Sequence, residues 1–232
     1  MRRCVPLLPV ALLGLLLAAC TADPLNVVVL DARAPGDKCD FSDNTKYVEQ
    51  GWVDFRQYVT TGVPSVVTHT GSYGQVFGWE NNLQSVVTTV NGQPVDNGTG
   101  NNFIADSVVY SYQYSDPNVV LPTSETQNIH ATINAGGTAQ DNTVGISLIP
   151  PGASDAINNS TLGPGTQTLL VTFQIFGKIA AGISKHSNKV SFPIYVYRSD
   201  TTALDCPSQG LVLNGGVCNI PGRDQPVSCK KP

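Results

Sequence analysis

Apolar and polar residues alternate along most of the chain after residue 25, and this period of two predicts a series of short β-strands. The clearest run is 103–114, in which Val108, Tyr110, Tyr112 and Tyr114 share one face and small polar residues occupy the other. The other predicted strands are 26–33, 51–59, 75–90 (as one long or two short strands), 126–133, 143–148, 168–176 and 189–198. The pattern predicts one short helix, at 152–159.

Turn residues separate the strands, and the series as a whole predicts an all-β fold. Asn91-Gly92 is typical of a type I′ hairpin turn. About 7–9 short strands in ~180 residues are expected to form an immunoglobulin-like antiparallel β-sandwich, with a closed barrel as the alternative.

Three strand positions carry specific expectations. The strand at 26–33 is apolar on both faces and is expected at the centre of a sheet. Pro193 predicts an edge or a bulge for the strand at 189–198. In the strand at 51–59, alternation assigns Asp54 to the polar face.

The N-terminus has the form of an export signal. Arg2 and Arg3 precede an apolar run of 15 residues, 5–19, which is short for a bilayer span. The run ends in Leu17-Ala18-Ala19 and is followed by Cys20, which resembles the lipobox of bacterial lipoproteins. That resemblance implies cleavage before Cys20 and acylation of its thiol and of its new amino group. The alternatives are a generic secretory signal, in which Cys20 is incidental, and an N-terminal membrane anchor.

The lipobox divides the chain into four parts. Residues 1–19 are the predicted signal peptide, 20–25 a lipidated tether, 26–200 the sandwich domain, and 201–232 a tail rich in cysteine, glycine and proline that packs on it. The five residues that follow Cys20 span at most about 17 Å, so the body is expected close to the membrane. Thr21 follows Cys20, and by resemblance to enteric sorting rules it implies the outer membrane.

Composition and charge exclude several classes of protein. The chain has 13 basic and 17 acidic residues, and loss of Arg2 and Arg3 leaves the mature chain with 11 basic residues and a net charge of −6. A chain without a basic excess is not expected to have a nucleic-acid partner. Hydrophobic residues make up 41% of the sequence, which excludes general disorder. The expected membrane partner is therefore held by acyl chains on Cys20 rather than by charge.

The cysteine count is typical of an oxidising compartment. Four of the six cysteines remain after the signal peptide and the acylated Cys20 are set aside, and they are expected to form two disulfides: Cys39, Cys206, Cys218 and Cys229. A zinc site is the alternative, but their spacing fits no zinc knuckle. We expect Cys39 to join one tail cysteine and the other two to close a local loop.

No motif predicts a catalytic residue, a metal site or a cofactor. His69, His130 and His186 lie in separate segments, and no nucleophile elbow or phosphate-binding loop occurs. The loop that holds Asp37, Asp40 and Asp43 could offer carboxylates to calcium, but turn formation by these residues is the favoured interpretation.

Aromatic side chains are the candidate ligand-binding residues: Trp52, Trp79, Tyr110, Tyr112 and Tyr114. Exposed, the tyrosine row could stack on sugar rings, as in a carbohydrate- or peptidoglycan-binding module. The polar residues on the opposite face favour the interpretation that the tyrosine row faces the core. A hydrolase whose triad assembles only in space is a further alternative.

Several short motifs together resemble a family of uncharacterised predicted lipoproteins from myxobacteria and related bacteria. They are the lipobox, Ala34-Pro35 followed by Cys39, Gly51-x-Val53-Asp54, Glu80-Asn81-x-Leu83, Ile149-Pro150-Pro151, Phe176-Gly177-x₄-Gly182, Phe192-Pro193-x-Tyr195-Val196 and Cys218-x₂-Pro221-Gly222-x-Asp224-x₄-Cys229. Tyr197-Arg198 departs from this pattern, which would have a cysteine there. The resemblance implies membrane anchoring and no particular activity. The sequence thus predicts a non-catalytic outer-membrane lipoprotein for envelope structure, adhesion or binding of a protein or polysaccharide partner.

Overall fold

The computed structural model describes residues 26–36, 40–41, 45–60, 66–69, 71–85, 87, 89–94, 100–162, 165–179, 182–214, 218 and 223–232. Within these ranges the chain forms fifteen strands and one α-helix, α1 (Pro151–Asn158). The strands are β1 (Val27–Arg33), β2 (Gly51–Asp54), β3 (Gln57–Thr60), β4 (Val66–His69), β5 (Gly74–Asn81), β6 (Thr89–Val90), β7 (Gln93–Pro94), β8 (Phe103–Tyr114), β9 (Glu125–Ile133), β10 (Thr143–Ser147), β11 (Gln167–Ile179), β12 (Ser184–His186), β13 (Val190–Tyr197), β14 (Val212–Leu213) and β15 (Cys229–Lys230).

Two sheets face each other and form the sandwich. The small sheet has the order β1-β5-β10, and the large sheet has the order β2-β13-β11-β8-β9, with β12 paired to β11. The chain passes from the small sheet to the large one between β1 and β2. This order corresponds to strands A, B and E packed on A′, G, F, C and C′ of an immunoglobulin-like sandwich, which confirms the predicted fold class. One pair departs from the antiparallel expectation, because β2 runs parallel to β13.

The core lies between the inner faces of the two sheets. Phe77 of β5 and Phe173 of β11 meet there with ring centroids 5.0 Å apart. Alternate residues of β11 are buried, as the period-two pattern predicts for a strand with one solvated face.

Gly177 allows the long strands β8 and β11 to approach closely where their register shifts. A Cβ atom at this position would meet the carbonyl oxygen of Ile104 and the Cα of Ala105. Glycine is therefore required at this bulge for steric reasons.

The prediction that 26–33 is a central strand is wrong, because β1 is an edge strand of the small sheet. The side-chain amide of Asn188 takes the place of a neighbouring strand: its Oδ1 accepts from Val29 N at 2.8 Å and its Nδ2 donates to Val29 O at 3.0 Å. The apolar residues on the second face of β1 are an exposed Leu30 and a half-buried Val28. They therefore do not indicate that β1 is buried between two strands.

Other boundaries follow the predictions with local differences. The predicted strand at 51–59 divides into β2 and β3, and the run at 75–90 resolves into β5 and β6. Asn91 and Gly92 have positive φ angles of 54° and 77°, as a type I′ turn requires.

The prediction of an edge or a bulge at Pro193 is wrong, because β13 lies between β2 and β11 and its register with β11 is continuous through Pro193. The partner β2 begins to pair with β13 only at Ile194, so Pro193 precedes the ladder on that side and no hydrogen bond is lost.

The tail after residue 200 packs along one side of the sandwich. Leu204 forms a parallel bridge with Tyr58, and the disulfide Cys206–Cys229 closes the local loop that we expected between two tail cysteines. Cys218 is also disulfide-bonded, whereas Cys39 lies outside the described residues.

Candidate functional site

The outer face of the large sheet carries no covering helix or sheet within the described part of the chain, and we call it the open face. Strands β2, β13, β11 and β8 contribute to it. Its side chains mix aromatic, apolar and small polar groups, among them Trp52, Leu170, Thr172, Tyr195, Ser111 and Phe176. Among these side chains, the aromatic ones are of a type that is enriched in protein interfaces.

Trp52 is the most exposed aromatic residue of the candidate set. Its side chain is 40% exposed and packs on Tyr195 with ring centroids 4.5 Å apart. Its backbone is fixed by Asp224 of the tail, whose Oδ1 accepts from Trp52 N at 2.9 Å and whose N donates to Trp52 O at 2.8 Å. The tail thus presents this indole ring in a defined position.

A shallow depression of about 210 Å³ lies on the open face, away from Trp52. Val109, Thr172, Gln174, Phe176 and Lys189 are among the residues that line it. It is smaller than the ~300–1,000 Å³ typical of sites that enclose small molecules. This depression is therefore too small to enclose a small molecule of ordinary size.

Two other candidate aromatic residues are buried. Tyr110 is 1% exposed and Trp79 is 0% exposed, so neither ring can form part of a stacking platform. Tyr112 and Tyr114 are half-buried and pack against the core. The tyrosine row therefore faces the core, as the alternation of β8 predicts.

The tyrosine row supports helix α1 through Glu125. Tyr112 donates its hydroxyl to Glu125 Oε2 at 3.2 Å, and the same carboxylate accepts from Gly152 N at 2.9 Å and Ala153 N at 3.1 Å. The helix has Pro150 at its N-cap, which offers no side-chain acceptor, so a carboxylate from β9 supplies the cap. Sequence reasoning missed this role because Glu125 is 27 residues away from Gly152.

Burial raises the pKa of the tyrosines in this row. The negative charge of Glu125 raises the pKa of Tyr110 and Tyr112 further, and Asp116 does the same for Tyr114. In β13 of the same large sheet, burial and the nearby Asp54 raise the pKa of Tyr197 to about 12. The neutral phenol is the form that the folded protein favours.

The assignment of Asp54 to a solvated polar face is wrong, because this carboxylate is 0% exposed. Its Oδ1 accepts from Arg56 N at 3.0 Å and Ser199 N at 2.9 Å. Its Oδ2 accepts from the Ser199 hydroxyl at 2.6 Å and from Val227 N at 2.9 Å. The C-terminal tail covers the edge of β2, where the alternation of polar and apolar residues alone predicts exposure to solvent.

Arg223 and Asp224 complete this junction between tail and sandwich. The Arg223 guanidinium lies 5.1 Å from the centre of the Tyr73 ring and donates to Gln75 Oε1 at 3.2 Å. Gly51 packs against the same ring, and a Cβ atom there would overlap it. The junction is built from buried, mutually bonded groups, so its role is structural.

The two histidines whose side chains are described lie in different strands, His130 in β9 and His186 in β12. His130 is exposed, and His186 Nδ1 contacts Gln174 Nε2 at 2.9 Å and the carbonyl oxygen of Ser187 at 3.0 Å. The His69 side chain is outside the described set, as are Asp37 and Asp43, while Asp40 accepts from Gly36 N through its backbone at 2.8 Å. No group of three or more metal-binding side chains occurs among the described residues.

The described residues contain no helix with the length and hydropathy that a membrane crossing requires. Cys20 and the segments on either side of it precede the first described residue, Asn26. The acylation of Cys20 therefore remains a prediction.

Comparison with known proteins found no match for this chain among protein-family models, curated proteins or solved structures.

Replacement of Asp54 tests whether this carboxylate holds the tail on the sandwich. Asp54→Ala leaves three backbone N–H groups without their acceptor, at about 1–3 kcal/mol each, so we expect the free energy of unfolding in urea to fall by at least ~3 kcal/mol. Proteolysis of the tail should accelerate in parallel. Asp106→Ala, at an exposed position of β8, is the control and should change stability by less than ~0.5 kcal/mol. Equal stability of the two variants would contradict the proposed role.

The raised tyrosine pKa values predict a loss of stability at alkaline pH. The unfolded chain releases its phenolic protons near pH 10, whereas the folded chain retains those of Tyr110, Tyr112 and Tyr114 to higher pH. The stabilisation is therefore complete below pH 10 and is lost as the pH rises above it, through about 12 for Tyr197. Urea unfolding at a series of pH values across this range measures the free energy of unfolding. The tyrosinate absorbance of the folded protein measures the pKa values of its tyrosines. Titration of all tyrosines at the ordinary value in the folded protein would refute the prediction.

Proposed function

We propose that the protein is an envelope lipoprotein, held in the outer membrane by acyl chains on Cys20, whose β-sandwich has no catalytic role and binds a partner through its open face. The observation that carries the proposal is the sequence Leu17-Ala18-Ala19-Cys20 placed directly ahead of a folded body. The first strand, β1, begins seven positions after Cys20, at Val27.

Physical chemistry supports stable anchoring through this cysteine. One acyl chain binds a membrane only marginally, whereas two or more hold a protein essentially permanently. The mature chain is acidic overall, so long-range charge attraction would not replace the acyl chains at an anionic membrane.

The tail disulfide supports an exported location. Disulfides such as Cys206–Cys229 persist in oxidising compartments and are uncommon in a reducing cytosol. The chain needs this closure because the tail is too short and too rich in glycine and proline to bury a core of its own.

The open face supports a binding role over an enclosed chemical reaction. Trp52 stands on it with a fixed backbone and an exposed ring, and tryptophan is enriched among residues that dominate binding energies. The depression beside Phe176 is too small to enclose a substrate of ordinary size. A larger depression, of about 330 Å³, lies away from the open face, where Gln75, Ile146 and Arg223 are among the residues that line it.

A carbohydrate partner is a second candidate, favoured by the Trp52–Tyr195 pair. The exposed ring of Trp52, tilted against the half-buried ring of Tyr195, offers an apolar surface to one face of a sugar ring. Among the candidate aromatic residues only Trp52 can serve this role, because Trp79 and Tyr110 are buried and Tyr112 and Tyr114 pack against the core.

Replacement of Cys20 tests the anchor. We expect Cys20→Ser to abolish incorporation of labelled palmitate and to block cleavage before residue 20, since the thiol is the acceptor of the diacylglyceryl group. Cys4→Ser is the matched control: it changes another cysteine of the signal peptide, leaves the lipobox intact and should behave as the unmodified chain does. The proposal fails if Cys20→Ser is labelled and processed in the same way as Cys4→Ser.

A further inference from the structure

The charge of the mature chain is unevenly distributed along the sequence. Residues 156–199 contain no aspartate or glutamate, although the mature chain as a whole is acidic. The same segment holds Lys178, Lys185, Lys189 and Arg198.

The fold gathers the three lysines of this segment at one end of the sandwich. Lys178 lies near the end of β11, and its cross-strand partner in β12 is Ser184, next to Lys185. Lys189 directly precedes β13. Lys185 is the cross-strand partner of Gly177, so its half-buried side chain lies on the other face of this strand pair from Lys178 and has a partner of its own. We call the surface formed by Lys178, Lys189 and Ile183 the lysine end.

The chain also enters the sandwich at the lysine end. Val27, the first residue of β1, forms a parallel bridge with Ser187, which lies between Lys185 and Lys189 in sequence. The Asn188 amide pairs with the backbone of Val29. The tether of the lipid anchor therefore joins the body beside the lysines.

An apolar side chain projects at the same end. Ile183 is 56% exposed, and its turn is held by two backbone hydrogen bonds, Gly182 N to Ile179 O at 2.8 Å and Ile179 N to Ile183 O at 3.0 Å. Gly182 has a φ of 85°, which a residue with a side chain adopts only with strain. The turn thus presents an exposed isoleucine beside cationic groups, a combination that suits the headgroup region of a bilayer.

We propose that the lysine end is a membrane-contact surface that binds the anionic headgroups of the bilayer in which the protein is anchored. The inference rests on the proposed acylation of Cys20. The five residues between Cys20 and Asn26 span at most about 17 Å, which is about two screening lengths at physiological ionic strength. The tether therefore keeps the lysines at a high effective concentration near the headgroups, so that a weak contact is occupied.

The acidic residues at this end indicate which corner of it makes the contact. Glu80 and Asp141 lie on the side of the small sheet, at the end of β5 and in the loop before β10. The exposed Asp106 lies in the bulge of β8, opposite Phe176 and Gly177 of β11. Contact centred on β12, on the other side of β11 from Asp106, keeps these three carboxylates away from the centre of the contact. The body would then stand tilted, with the tail and the far loops directed away from the membrane.

The depth of a fluorophore tests this orientation in the mature, acylated protein. An environment-sensitive fluorophore on Ser184→Cys, next to Ile183, should report contact with vesicles of phosphatidylcholine and phosphatidylglycerol, and much less contact with phosphatidylcholine alone. The same fluorophore on Val120→Cys, an exposed position at the opposite end, should report water in both. Equal signals from the two positions would overturn the proposal.

Charge variants test the lysines themselves. Each lysine near an anionic surface contributes about a factor of five, so the double variant Lys178→Gln with Lys189→Gln should lower the contact equilibrium about 30-fold. The control, Lys230→Gln with Lys231→Gln, removes the same charge from the tail and should have little effect.

These outcomes separate the proposal from the anchor on which it rests. If the protein is acylated and remains on the vesicles but the two double variants behave alike, the membrane-contact surface is refuted while the anchor stands. If no acylated protein is recovered, the proposed function itself fails.

Discussion

The buried carboxylate of Asp54 is the interaction on which the arrangement of sandwich and tail depends. It accepts hydrogen bonds from the turn after β2, from the segment after β13 and from the C-terminal tail. Because β2 forms only four residues of strand at the side of the large sheet, its outer side would otherwise be open. A charge without exposure to water is tolerated here because backbone N–H groups and a hydroxyl replace its hydration.

The same junction links the fold to the candidate binding surface. Asp224 belongs to the tail, and it holds the backbone of Trp52 on both the N–H and the C=O side. Loss of the tail would therefore leave β2 and its exposed indole without their outer support. The disulfide Cys206–Cys229 shortens the tail to a closed loop and reduces the conformational entropy lost when it docks.

Elements with one buried face were predictable from the sequence, and elements covered by distant segments were not. The strand β8 matches its predicted limits because its alternation reflects one core face and one solvated face. The position of β1 was wrong because a single side chain, Asn188, covers its edge and leaves no periodic signal. Asp54 was misplaced because the residue that buries it, Val227, is 173 positions away.

The residues of the candidate site also divide into those that were predictable from the sequence and those that were not. Trp52 and the buried tyrosine row were both visible as aromatic positions, but only the tail and the core packing decide that Trp52 is exposed and Tyr110 is not. Glu125 has no local signal as a helix cap, since its partners come from a different element. The absence of acidic residues from 156–199 is visible in the sequence, whereas the meeting of its lysines with the start of β1 requires the fold.

The central functional claim is that this sandwich is exported and held at a membrane by its N-terminal cysteine. Mass spectrometry of the unreduced protein, purified from the membranes of a bacterial host, tests it most directly. We expect a mature chain that begins at Cys20 with a diacylglyceryl group on its thiol and an acyl group on its amine. A chain that keeps residues 1–19, or one that begins elsewhere with an unmodified N-terminus, would contradict it.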